Sequence, residues 1–69
     1  MSYVYNWKLS DGSLMIVEYC YSTMDKVLKV VDMNLNGKYH RMNWMSHEGR
    51  NELMNLLNND YANKVNVVK

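Results

Sequence analysis

The chain predicts an α+β fold: two β-hairpins forming a four-stranded antiparallel sheet, with one C-terminal α-helix packed on one face. Asp11-Gly12 and Asn36-Gly37 each lie between runs rich in Val, Tyr, Trp, Leu and Met. Such dipeptides accept the positive φ that a two-residue hairpin loop requires. Beyond the second hairpin, Gly49, Leu53, Leu56, Leu57 and Tyr61 recur at helical spacing.

Residues 2–9 alternate as a strand, with Tyr3, Tyr5, Trp7 and Leu9 on one side. A two-residue loop at Asp11-Gly12 leads to a second strand over 14–22. It sets Leu9 opposite Leu14, Trp7 opposite Ile16, Tyr5 opposite Glu18 and Tyr3 opposite Cys20. The reverse face then carries Val4, Asn6, Lys8, Met15, Val17, Tyr19 and Tyr21. Ser22 to Lys26 connect to a third strand over 27–35, and Asn36-Gly37 turns it into a fourth over 38–45. In that hairpin Val31 meets Met42, Met33 meets His40 and Lys29 meets Trp44. On the reverse face Val30 meets Asn43, Asn34 meets Tyr39, and Asp32 meets Arg41. An exposed cross-strand ion pair of that kind contributes about 0.2–1 kcal/mol.

Ser46 is an N-cap and Glu48 an acidic first-turn residue for a helix over 47–61. Gly49 costs that helix about 1 kcal/mol relative to Ala, and reads as a point of close approach to the sheet. Residues 64–69 are Val-rich and fit a fifth strand, an arm or a frayed tail.

The chain has 69 residues, which is one domain, 1–69, with a core too small for comfort. It has a single cysteine, Cys20, so no internal disulfide staples it, and a reducing cytoplasm is the expected compartment. No signal sequence or membrane-spanning run is visible. The net charge of +1 weakens a nucleic-acid role, which normally needs a basic excess. Abundant Asn, Tyr and Met with no Pro are the mark of an AT-rich genome, as many phages have.

Catalytic and metal chemistry find little support. His47-Glu48 opens like H-E-x-x-H, but Asn51 stands where the second His is needed. Cys20, His40 and His47 do not arrive as the close pairs that zinc sites use. The acids Glu18, Asp32, Glu48 and Glu52 fall on separate elements, and the glycines are isolated. The expectation is therefore no enzyme, no metal and no cofactor.

One helix covers one face of a sheet that is apolar on both. The uncovered face is the expected working surface, centred on Val17, Tyr19, Val30 and Tyr39 with Asp32 and Arg41 beside them. The expected function is a non-catalytic binding module, a regulatory or inhibitory and phage-like protein docking on a larger protein. A homodimer is the expected assembly. The alternative is a dimer that stacks single-stranded nucleic acid on the same face. Its contacts would be Lys8, Lys26, Arg41 and the tyrosines Tyr19, Tyr21 and Tyr39.

Tyr3-Val4-Tyr5, Leu14-Met15-Ile16-Val17-Glu18-Tyr19 and the capped helix from Ser46 stand in an order of four strands and one helix. This layout resembles the positive-cofactor-type transcription coactivators, and the resemblance implies a dimer that binds single-stranded DNA. That family's Lys-Pro-x-x-Lys-Gly segment before the last strand is absent, so no site residue is carried over.

Overall fold

The computed structural model describes residues 2–66. The strands are β1 (Ser2–Lys8), β2 (Leu14–Ser22), β3 (Val27–Leu35) and β4 (Lys38–Tyr39). A 3₁₀ turn (Met42–Trp44) and the helix α1 (His47–Asn66) follow. The four strands form one antiparallel sheet in the order β1-β2-β3-β4, and α1 lies across one face, as the sequence predicts.

The first hairpin differs from expectation by one residue. Leu9 donates its amide to the Ser13 carbonyl at 2.8 Å, and Gly12 donates to the Leu9 carbonyl at 3.0 Å. The loop is therefore Ser10-Asp11-Gly12, three residues long, with Gly12 at φ +91° closing it. This is the tight turn followed by a left-handed residue that three-residue hairpins use. Asp11 caps it by accepting the Ser13 amide at 2.8 Å, which holds the Asp11 carboxyl below its usual range. The added loop residue moves the register, so that Trp7 faces Met15, Tyr5 faces Val17 and Tyr3 faces Tyr19. A one-residue slip exchanges the two faces of a strand. Met15, Val17 and Tyr19 turn toward the helix, while Ile16, Glu18 and Cys20 turn away.

The second hairpin keeps its expected register, with Asn34 opposite Tyr39. Asn36 and Gly37 both have positive φ, 51° and 87°, as a two-residue loop of this type needs. Asn36 also ties the two hairpins together. Its amide donates to the Leu14 carbonyl at 2.8 Å, and its side-chain oxygen accepts the Leu14 amide at 3.0 Å.

Strand four is shorter than the expected 38–45, ending at Tyr39. Met42 and Met45 both pack against the core, a spacing of three that a 3₁₀ turn brings to one side and a strand does not. The turn leaves Trp44 61% exposed rather than in the core, edge-on to His40.

A bulge in β3 completes the face assignment. Glu18 pairs with Asp32 and Tyr19 with Val30, so Val31 has no partner on β2. Leu28 and Val30 before the bulge, and Met33 and Leu35 after it, therefore all face the helix.

Helix α1 begins at the Ser46 cap, whose hydroxyl accepts the Gly49 amide at 3.0 Å. Its stripe presents Leu53 and Leu57, both fully buried, to Trp7, Met15, Val17, Tyr19, Leu28 and Met33. The helix runs past Tyr61 to Asn66, so 64–66 are its last turn rather than a strand or arm. Residues 67–69 lie outside the described residues. Gly49 does not meet the sheet: a methyl there would touch Ser46 Oγ at 3.3 Å and Met45 at 3.5 Å. The glycine leaves room for the cap.

Deleting Val31 converts β3 to plain alternation with the same residues facing the helix. The Val31 deletion should keep a cooperative thermal transition and the native near-ultraviolet circular dichroism. Deleting Glu18, which turns half of β2 inside out, should abolish both.

Candidate functional site

The side of the sheet away from α1 is built from alternate residues of all four strands. One row crosses it as Val4, Glu18 and Asp32; the next runs Asn6, Ile16, Asn34 and Tyr39. Leu14 and Lys8 lie at one end, and Ser2, Cys20 and Lys29 at the other. Val4, Ile16, Val31 and Tyr39 are 54%, 38%, 56% and 60% exposed. Nothing among the described residues covers them.

The polar groups of this face are held in place. Glu18 accepts the Ser2 hydroxyl at 2.8 Å, and Asp32 accepts the Asn34 side-chain amide at 3.1 Å. Lys29 pairs with Asp25 at 2.6 Å, which holds the Asp25 carboxyl low and the Lys29 ammonium high. Beside Asp32, where β4 leaves the sheet, a groove of about 290 Å³ opens between β3 and residues 40–43. Val31, Tyr39 and Arg41 help line it.

Of the residues expected on this surface, Asp32 and Tyr39 are on it. Val17 and Tyr19 are not: both are fully buried under α1, because the longer first loop turned β2 over. Val30 also faces the helix, because the Val31 bulge reverses the alternation of β3. Arg41 is exposed at the groove, and its expected ion pair with Asp32 does not form, because β4 ends two residues before it. Val4 is on the uncovered face, as its alternation in β1 predicts; sequence reasoning missed Leu14, Ile16, Glu18 and Val31. The signal for Val31 was the Val30-Val31 doublet inside an otherwise alternating strand.

Tyr19 belongs instead to a polar tether between sheet and helix. Its hydroxyl donates to Asp60 Oδ2 at 2.5 Å. The same oxygen takes the Lys64 ammonium at 2.7 Å, and Lys64 donates onward to the Val4 carbonyl at 2.7 Å. The Lys64 ammonium also lies 5.6 Å from the Tyr3 ring centre and 5.4 Å from that of Tyr19. Tyr21 stacks on Tyr61 with ring centres 5.4 Å apart, so it too is engaged on the helix side. Burial first, and then the hydrogen bond to Asp60, push the Tyr19 phenol well above its ordinary value. These groups are structural in geometry; they do not converge on a cavity.

Among the described residues, no three His, Cys, Asp or Glu side chains come together to hold a metal ion. No helix among them is long and apolar enough to cross a membrane. Comparison with known proteins finds no family model, no curated relative and no solved structure that matches this chain.

A phenol whose folded value is raised stabilises the protein fully below its unfolded value, near 10, and progressively less above it. Stability should therefore fall as pH rises past about 10. Tyr19→Phe should lose about 1–3 kcal/mol at neutral pH, since Asp60 forfeits a charge-assisted partner. It should also flatten the alkaline decline, as read from urea midpoints across a pH series.

Proposed function

We propose that this protein is a small non-catalytic binding module that docks on a larger protein through its bare sheet face. The observation that carries this reading is the set of exposed apolar side chains on that face, Val4, Ile16, Val31 and Tyr39, which nothing among the described residues covers. A monomer rarely leaves such a surface open without use. A regulatory or inhibitory role fits a chain of 69 residues that acts by occupying a partner's surface. The AT-rich-codon composition supports a phage source, and the lone cysteine supports a reducing cytoplasm.

A second copy of the chain is the other occupant of the same face, and nucleic acid is the less supported one. Tyr19 and Tyr21 are engaged under or beside the helix, which leaves Tyr39 as the stacking residue of the face. Glu18 and Asp32 at its centre repel phosphate.

A photo-crosslinking residue at Ile16 tests the reading in cells that express the protein. It should give one discrete adduct of higher mass, and the same residue at Asn55, on the exposed helix side, should give none. An adduct of twice the chain mass identifies a second copy. Equal adducts from both positions, or none from Ile16, would sink the face as a docking surface.

A further inference from the structure

The bare face carries a conflict that no ion pair among the described residues resolves. Glu18 and Asp32 stand directly opposite each other on β2 and β3. Like charges so placed destabilise a sheet. Neither makes an ion pair among the described residues, where the two ion pairs are Lys29–Asp25 and Lys64–Asp60. Arg41, which a longer β4 would have carried to Asp32, leaves with the chain at Tyr39 instead. Both carboxylates are half-buried, and both are oriented by neighbours, Ser2 and Asn34. Around them sit Val4, Ile16 and Val31, and the groove beside Asp32 continues the surface outward.

We infer that the docking partner is a protein surface presenting a basic side chain, best an arginine, flanked by aliphatic residues. This inference rests on the reading of the bare face as a docking surface and adds its chemistry. Carboxylates at paired positions of neighbouring strands, one turned toward Ser2 and one toward Asn34, suit a guanidinium, whose five donors can reach more than one acceptor, better than a lone ammonium. The surrounding valines and isoleucine exclude water from that contact and strengthen it. A purely apolar partner would bury two like charges unpaired, and an acidic one would add a third. A second copy seated face to face would bring four carboxylates together. At the centre of the face, with Lys8 and Lys29 out at its two ends, charge complementarity therefore favours a basic partner over a copy seated pair on pair.

The test starts with the free protein. Glu18→Gln with Asp32→Asn should raise the melting midpoint by about 2–5 °C, more at low salt, because it removes a repulsion. A fall would mean that Arg41 neutralises the pair within the chain, and would overturn the inference. The second arm is selection of random linear peptides displayed on phage against the immobilised full chain. Enriched peptides should carry Arg between aliphatic residues. Their affinity should drop about tenfold on the doubly neutral variant and fall as salt rises. Val4→Ser with Ile16→Ser should also weaken them. Peptides lost on the serine variant but indifferent to the neutral one would overturn the arginine chemistry and leave the docking face standing. Peptides indifferent to both, or no enrichment at all, would remove the face and the inference together.

Discussion

Burial in this fold is decided at the first turn. Leu53 and Leu57 can only be buried against a strand that offers large apolar side chains at alternate positions. Strand β2 offers two such sets, Met15-Val17-Tyr19 and Leu14-Ile16 with Glu18 and Cys20. The loop Ser10-Asp11-Gly12 chooses between them by its length. Once Leu9 and Ser13 are bonded, Tyr5 must face Val17 and Trp7 must face Met15. The helix then closes over the richer set. The Val31 bulge repeats the choice on β3, keeping Leu28, Val30, Met33 and Leu35 on the same side.

The polar tether strengthens that choice at the other end of the helix. A buried Tyr19 hydroxyl needs a partner, and Asp60 supplies it while Lys64 balances the charge. Apolar packing alone does not fix where along β2 the helix lies. A hydrogen bond from a buried hydroxyl to a single carboxylate does, because its geometry tolerates little displacement. The tether thus converts a generally sticky face into one defined seat for α1.

The fold was legible in the sequence because turn chemistry and periodicity each act locally. Asn36-Gly37 gave its register correctly, and the stripe from Gly49 to Tyr61 gave the helix. The candidate surface was less legible, because its identity depends on parity. Asp11-Gly12 fits a loop of either two or three residues, and only the extra Leu9–Ser13 bond distinguishes them. That single residue places Val17 and Tyr19 in the core rather than on the uncovered face, and brings Ile16 and Glu18 out. Strand β4 failed for a different reason: the demand of the core for Met42 and Met45 overrode the strand pattern that Arg41 and Asn43 continued. Asp32 and Tyr39 were placed correctly because the second hairpin's register was.

The contact between Lys64 and Val4 bears on how the protein behaves when crowded. Strand β1 is the outermost strand on its side, and hydrogen bonds to β2 alternate along it from the Leu9–Ser13 pair. The Val4 carbonyl therefore points away from the sheet, at the middle of an open edge. Open edges recruit further strands and seed aggregates. An incoming strand here would have to displace the Lys64 ammonium from the Val4 carbonyl, while the ion pair with Asp60 holds that ammonium in place. The last turn of the helix thereby guards this edge of the sheet.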